Sequence, residues 1–501
     1  MGDGAGLGEN VSGAPASSRT LLDSDAAGST AIRGGSLRVA GYLAGAALSA
    51  VSAAAMFRAL GVDGAGMYVT ALAIVTLACS LTDAGLATVG VRELASHAGN
   101  RQERFMRSLL GVRLALGAAG VVLAIAFAGI AGYESVMVAA VGVAGLAALL
   151  QVSQQTLTVP LMAELRFPPV VIIDLVRQAV STLLMIAAAL AGAGLLVFVG
   201  VSIPALLVAL IATVPLVAGM APVVPAIEVG EWKQLLRETL PFALATAVAA
   251  VYFRSAVIIV SLIATEYQTG LFGASFRVVE VLIIVPQLAV GAAFPIFARA
   301  ATSDRERLEY GVGRTLDVSA VTGVGLALFL VVGAPTVISV IAGSSFAGSE
   351  PVLRIQGLAL AAAFVGAPLA YALLSLHRHR AVLVASVVGL VANLTLVTSL
   401  TFLSGIRGAA IATFIAELAM TVGFAVGVYR SGLRPDHRAG QLPRVLIAGL
   451  FALSPLLIPG LPNLAAVALS VVLYGALILL FKALPGEVLV EARRLLRQPR
   501  T

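Results

Sequence analysis

Charge is scarce in this chain. Asp, Glu, Lys and Arg make up 11% of its 501 residues, against roughly 25% in soluble globular proteins. Cysteine is nearly absent: the single Cys79 lies in an apolar stretch, so an intramolecular disulfide is excluded and the redox compartment goes unread. Histidine occurs only as His97, His377, His379 and His437, in expected loops and without metal-ligand spacing. No metal and no cofactor is therefore expected. Aromatic residues contribute 6%, and the basic residues lack interleaved rings on which bases would stack. The net charge of +7 thus speaks for membrane topology rather than nucleic acid. A Walker A sequence is also missing, which excludes a P-loop ATPase module.

What fills the chain is hydrophobic sequence, 59% of it. Apolar stretches long enough to cross a ~30 Å hydrocarbon core recur along nearly the whole length. A soluble core stops growing at about 250–300 residues, so aqueous burial cannot account for them. The expected fold is an all-α, polytopic membrane protein with about fourteen transmembrane helices. The spans fall at 37–57, 65–89, 112–132, 136–158, 169–192, 194–218 and 239–263, then at 269–297, 315–341, 352–375, 381–404, 408–429, 444–460 and 463–483. Pro241 and Pro351 stand near helix starts, where a missing N–H costs nothing. Pro204, Pro286, Pro295 and Pro368 fall within spans and are expected to kink them. Residues 1–35, rich in Gly, Ala and Ser, read as a disordered cytoplasmic tail rather than a signal peptide.

Charge placement orients the spans. With the N-terminus inside, Arg58, Arg354 and Arg407 are the basic residues on the outer side, and Arg177, Arg254 and Arg277 lie within spans. The rest fall on the cytoplasmic side, in clusters such as Arg101/Arg104/Arg107 and Arg430/Arg434/Arg438. That asymmetry is the positive-inside pattern, and it places the protein in the cell membrane with both termini cytoplasmic. A faint repeat, Gly66-Met67-Tyr68 and Gly270-Leu271-Phe272, follows a short outer turn in each half. It suggests two six-helix lobes related by a pseudo-two-fold axis along the membrane normal. The lobes would occupy 36–230 and 231–430, with 431–501 holding two further helices and a basic cytoplasmic C-terminus.

Several segments carry a family likeness. In order they are Arg58-Ala59-Leu60-Gly61, Gly66-Met67-Tyr68, Asp83-Ala84-Gly85-Leu86 and Arg92-Glu93-Leu94-Ala95. Leu240-Pro241-Phe242, Tyr252-Phe253-Arg254, Gly270-Leu271-Phe272-Gly273-Ala274, Arg277, Glu280 and Phe294-Pro295 follow, then Gly405-Ile406-Arg407-Gly408-Ala409-Ala410. Over 37–430 the chain resembles the Wzx-like flippases of O-antigen and teichoic acid precursors, within the multidrug/oligosaccharidyl-lipid/polysaccharide exporter superfamily. One departure stands out: members often carry an acidic residue two positions after the arginine of span seven, where this chain has Ala256. The resemblance implies a transporter, not an enzyme, that moves an undecaprenyl-diphosphate-linked oligosaccharide to the outer leaflet by alternating access. Its implied partners are that lipid substrate, the bilayer, and polysaccharide polymerase or glycosyltransferases.

A lipid-linked sugar cannot cross hydrocarbon unaided, because its diphosphate and hydroxyls would lose their water. Ionisable residues inside spans are therefore the candidate site, each costing roughly 2.5–3.5 kcal/mol at a helix centre unless partnered. Arg254 in span seven and Arg277 in span eight lie at similar depth, and Glu280 shares the face of Arg277 one turn on. The two guanidiniums could clamp a diphosphate, or Arg254 could be locked to Glu280. Asp174 and Arg177, one turn apart in span five, read as an intrahelical pair or a contact for the substrate headgroup. Asp83 and Glu417 are candidates for ion coupling; Asp83 is within reach of water or Arg92, and Glu417 of a cavity arginine. Gln151, Gln154 and Gln155 read as helix bridges or as partners for sugar hydroxyls, bridging being the reading preferred, and Asn393 reads the same way; His377-Arg378-His379-Arg380 reads as a cytoplasmic anchor.

Two other functions share this fold: a multidrug or cation exporter, which would favour an acidic, aromatic-lined cavity, and a peptidoglycan lipid-precursor flippase. A membrane glycosyltransferase would need outer carboxylates for catalysis. Asp63, Glu134, Glu266 and Glu350 are too few and too scattered for that, and no catalytic residue is expected.

Overall fold

The computed structural model describes residues 25–83, 85–96, 100–164, 166–220, 224–435 and 441–483. The expected tail lies outside the described residues as far as 24, as do His97, His437 and the basic stretch 484–501. From Asp25 onward the chain is already helical.

Every regular element among the described residues is a helix. We refer to α1 (Asp25–Asp83), α2 (Leu86–Ser96), α3 (Asn100–Ile130), α4 (Ser135–Leu157), α5 (Val159–Ala163), α6 (Phe167–Leu190), α7 (Leu195–Gly200) and α8 (Ser202–Val217) as the first lobe. The second comprises α9 (Val229–Ile263), α10 (Glu266–Leu282), α11 (Ile284–Ser303), α12 (Arg305–Ile341), α13 (Glu350–Ser375) and α14 (His379–Arg430). Two further helices, α15 (Gln441–Phe451) and α16 (Asn463–Leu480), pack on α12.

Among the described residues eleven helices are long and apolar enough to cross a membrane. Two of these are double: α1 folds at Gly61 and α14 at Ser404–Gly405. With the shorter apolar segment at Gln441–Leu457, each of the fourteen expected spans has its counterpart.

The turn in α14 is a tight reversal. Gly405 adopts φ 58°, a backbone conformation that a side chain disfavours. Beyond it the two arms pack closely: a Cβ on Gly389 would lie 2.8 Å from Met420, one on Gly423 2.8 Å from Ala385, and one on Gly427 3.3 Å from Ala381. Those pairs run in antiparallel order about residue 404, which small residues make possible.

Several boundaries differ from expectation: α3 and α12 start about ten residues early, at Asn100 and Arg305, and the span expected over 269–297 is divided at Ile283 into α10 and α11. The apolar pattern carries span two to 89, but it ends at Asp83, and α2 starts afresh beyond Gly85. The same pattern starts span seven at 239, whereas α9 begins ten residues earlier at Val229. Its polar first turns are held by Trp232 and Leu235, which pack with Leu86, Met106 and Leu109 of the first lobe. The prolines divide. Pro286 and Pro204 sit in the first turns of α11 and α8, just past breaks, where no N–H is needed. Pro295 and Pro368 stay inside continuous helices.

The cores explain the shape. One apolar core crosses between lobes, joining Phe57, Val62 and Ala65 to Phe272, Leu330 and Phe346. It lies at the end of the short turns at Gly61, Gly343 and Gly405. Toward the other end the lobes have separate cores, Leu110, Leu157 and Val217 in the first and Val290, Phe297 and Phe424 in the second. The lobes are thus fused at one end and largely parted at the other, where the first turns of α9 rest on α2 and α3 and Tyr42 donates to the Val281 carbonyl at 2.6 Å. The parted end carries the basic residues Arg92, Arg166, Arg299, Arg378 and Arg430.

The fused end is held by close backbone approach. A Cβ on Gly270 would meet the Val62 carbonyl oxygen at 1.9 Å, and one on Gly66 the Glu266 oxygen at 2.4 Å. The repeated glycines noted in the sequence are therefore the contact point of the two lobes. Arg58 donates to the carbonyls of Val340 (2.7 Å) and Ser339 (3.3 Å) at the C-terminal end of α12, where a helix favours a cation. Tyr133 and Ser261 hydroxyls meet across the seam at 2.7 Å.

Candidate functional site

The cleft between the lobes narrows to a cavity of about 350 Å³ beside the shared core. Helix α10 brings two charges to it. Its start is fixed by Thr265, whose hydroxyl accepts the Gln268 N–H at 3.2 Å, a standard helix cap. A Cβ on Gly273 would lie 3.1 Å from Val69, so the glycine lets α10 lie close to the second arm of α1. One turn further, Arg277 and Glu280 face the cavity together.

Glu280 bridges two arginines. Arg254 Nη2 donates to Glu280 Oε1 at 2.6 Å, and Arg277 Nη1 to Oε2 at 2.6 Å. Arg277 Nη2 also reaches Ser49 Oγ of α1 at 2.6 Å, so the cluster spans the two lobes. The Arg254 guanidinium lies 5.3 Å from the ring centroid of Phe253, and that ring packs on Phe276 at 5.2 Å. The Arg277 side chain is 40% exposed, against 21% for Arg254 and 17% for Glu280. The cluster faces a water-accessible space and retains unused donors on both guanidiniums.

Arg177 enters the same cavity from α6. Its pairing with Asp174 is loose, 3.7 Å. Both also line a cleft of about 550 Å³ beside α1, α6 and α10, together with Tyr42, Arg277, Glu280 and Ile284. All five charged residues singled out from the sequence for the cavity are thus gathered in one region. It carries three guanidiniums against two carboxylates.

The two candidates for ion coupling lie elsewhere. Asp83 pairs with Arg113 at 2.8 Å, not with Arg92, which bonds to Glu93 at 2.9 Å. Arg113 also donates to Thr156 Oγ1 at 2.7 Å, and its side chain is 1% exposed. Sequence reasoning misses this residue. It sits among the first turns of an expected span after a run of cytoplasmic arginines, and so resembles one more anchor. Glu417 does not meet a cavity arginine; inside the second lobe it accepts a hydrogen bond from the Tyr252 hydroxyl. Arg254 is already taken by Glu280, and Tyr252 is nearer on the inward face.

Asn393 is the expected helix bridge, its amide donating to the Tyr252 carbonyl and Ser255 Oγ, each at 3.1 Å. Residues 377–380 form an exposed turn at the basic end. Among the described residues no group of three or more His, Cys, Asp or Glu is placed to hold a metal ion.

This architecture has relatives. A lipid II flippase MurJ in an inward closed conformation superposes with TM-score 0.74, at 11% identity, over 90% of this chain and 98% of its own. An inward-facing multidrug resistance MATE family transporter of the MOP superfamily gives 0.63 at 15% identity, over 81% and 100%. A mutant of the Vibrio cholerae MATE transporter VcmN gives 0.55 at 14%, over 81% and 97%. At such identities the likeness defines the fold alone, which this chain shares with MurJ and the MATE transporters. No curated protein matches in sequence. The profile of a family described as polysaccharide biosynthesis protein matches residues 55–351, and the chain, a multi-pass membrane protein, belongs to that family.

Proposed function

We propose that the protein is a transporter, not an enzyme, that flips an undecaprenyl-diphosphate-linked oligosaccharide from the cytoplasmic to the outer leaflet. The observation that carries this reading is the Arg254–Glu280–Arg277 cluster, facing a water-accessible cleft between lobes. Arginine presents donors that match phosphate oxygens bidentately, and a diphosphate can take the place that Glu280 holds between the guanidiniums. The 550 Å³ cleft supplies a sideways route: its walls run from Ile284 and Leu288 to Arg277, so a prenyl chain can remain in lipid while its headgroup enters. Membership in a polysaccharide biosynthesis family agrees with the cargo.

In this reading the basic, parted end faces the cytoplasm and the fused end faces out, so the structure is an inward-facing state. Transport then requires the contacts at Gly66–Gly270, Arg58 and Tyr133–Ser261 to open as the lobes close at the basic end. Glu417 is the ion-coupling candidate retained here, because its single bonded partner among the described residues is a neutral hydroxyl. Asp83 already has an arginine. A peptidoglycan precursor as cargo is the second reading, favoured by the superposition on a lipid II flippase. A drug cation is disfavoured by three arginines in the cavity.

Complementation separates the two flippase readings. Expressed in strains lacking either a polysaccharide-precursor flippase or the lipid II flippase, the protein should rescue the first; rescue of only the second would replace the proposed cargo. Orientation is read with single cysteines in a Cys79→Ser background. Ser135→Cys and Ser345→Cys, exposed at the fused end, should react with an impermeant reagent from outside, and Ser303→Cys should not. The reverse pattern would invert the topology.

A further inference from the structure

Gln151 and Gln155 lie one turn apart on α4, on one face. The reading of them as helix bridges does not survive the structure. Both side chains are exposed, and neither makes a hydrogen bond within the described residues. Gln154 points the other way and is buried at 4% exposure. Asn393 shows what a bridging amide looks like in this molecule, with both donor bonds made to neighbours. Free amides inside a membrane protein are costly unless water or a ligand reaches them.

They face a groove of about 420 Å³ between α1, α3, α4 and α9. Thr76 and Ser80, also one turn apart, line it from the second arm of α1. Gln151 and Thr76 line the arginine cavity as well, so groove and cavity are continuous. Each volume lies in the usual ligand-pocket range of about 300–1,000 Å³. Among the described residues the groove holds no aromatic ring, and its only charges, Asp83 and Arg113, neutralise each other at 2.8 Å. Its recognition chemistry is amides, hydroxyls and one edge of a carboxylate. A bound cation would find no free anion there, and an apolar ligand only the small side chains of Ala148, Val152 and Ala250.

We propose that this first-lobe groove is the glycan subsite, in which Gln151, Gln155, Thr76 and Ser80 hydrogen-bond the hydroxyls of a neutral sugar chain. This rests on the reading of the arginine cavity as the diphosphate site. The sugars then extend from that cavity past Gln151 toward the basic end. An amide offers both donors and an acceptor, which suits hydroxyls that do both.

The experiment uses the purified full-length protein in lipid nanodiscs and three probes: undecaprenyl diphosphate, the same lipid bearing one hexose, and the same lipid bearing a neutral pentasaccharide. Gln151→Leu/Gln155→Leu keeps side-chain bulk and removes the amides. It should weaken pentasaccharide-lipid binding about tenfold, the loss of two or so hydrogen bonds, and leave bare undecaprenyl diphosphate within about twofold. Equal loss for all three probes, or no loss for any, would overturn the glycan subsite. If wild-type protein binds no undecaprenyl diphosphate, the diphosphate reading itself fails, whatever the variant does. Should the double variant not be recovered folded, Thr76→Val/Ser80→Ala probes the same groove from the opposite wall. The same selective loss for the pentasaccharide lipid is then expected, and a uniform response would overturn the inference.

Discussion

The two walls of the cleft are built from different chemistry. The second lobe presents charge: Arg254 and Arg277, held apart by one carboxylate and partly open to water. The first presents Arg177, loosely paired with Asp174, beside amides and hydroxyls that make no hydrogen bond among the described residues, and its Arg113 is sealed against Asp83 and Thr156. Both lobes thus contain an arginine–carboxylate contact at under 3 Å, yet the contacts differ in kind. Exposure of the guanidiniums separates them: the Arg113 side chain is 1% exposed, against 21% for Arg254 and 40% for Arg277. A buried guanidinium bonded to Asp83 and Thr156 holds helices together, whereas a cluster with free donors beside a cavity can exchange its carboxylate for another anion. A substrate with a doubly charged link and a neutral, hydroxyl-rich end matches the two walls in turn.

The comparison breaks most visibly at Arg113. Arg113→Ala strands Asp83 and removes the partner of Thr156. Breaking a buried pair from one side costs about 3–5 kcal/mol, so folded membrane yield should drop sharply, as read by fluorescence size-exclusion chromatography. A stable Arg113→Ala with lost transport would instead move this arginine into the functional site. Arg254→Ala and Arg277→Ala should do the reverse. Membrane abundance is expected to hold, while affinity for the diphosphate lipid falls on the order of 10–100-fold, as for a lost charge-assisted bond. Lysine at either position should rescue partially, since it keeps charge without the planar fork.

How much of this is visible in the sequence follows from the range of the interactions. Arg277 and Glu280 are one helical turn apart, so their shared face can be read directly. Their closure on Arg254 is one of two readings the sequence leaves open, since it joins α9 to α10. The glycines at 66 and 270 stand out as a repeat, but nothing local shows that they touch. Asp83–Arg113 is a contact across thirty residues, and Tyr252–Glu417 one across 165; in both, sequence favours a nearer or more obviously charged partner. The early start of α9 is hidden by Glu231, Lys233 and Arg237, which dilute the apolar signal although Trp232 and Leu235 anchor the helix. Gln151 and Gln155 stand out, but the choice between bridging helices and meeting sugar hydroxyls stays open, because a single sequence does not show which helix faces are covered.

Smaller effects sharpen the picture of the fused end. Gly270→Ala places a methyl against the Val62 backbone, where a Cβ would sit 1.9 Å from oxygen. The lobes must separate there, so Ser261→Cys, facing Tyr133 across the seam, should be labelled from outside severalfold faster in the Gly270→Ala background. Unchanged labelling would mean that the seam opens by another route. At the cluster itself, Glu280→Gln removes the competing anion and keeps the hydrogen-bonding shape. Affinity for the diphosphate lipid should rise about two- to fivefold, matching the modest strength of a partly exposed ion pair. If Glu280 is a structural lock, thermal stability falls instead and affinity does not rise.

The most direct test compares undecaprenyl diphosphate with undecaprenol for binding to the purified protein, wild type and Arg254→Gln/Arg277→Gln, in the same nanodiscs. The account predicts a wild-type preference for the diphosphate on the order of 100-fold, collapsing in the double variant while undecaprenol binding stays as it was. Equal affinity of the wild type for the two lipids, or a preference that survives loss of both arginines, would contradict it.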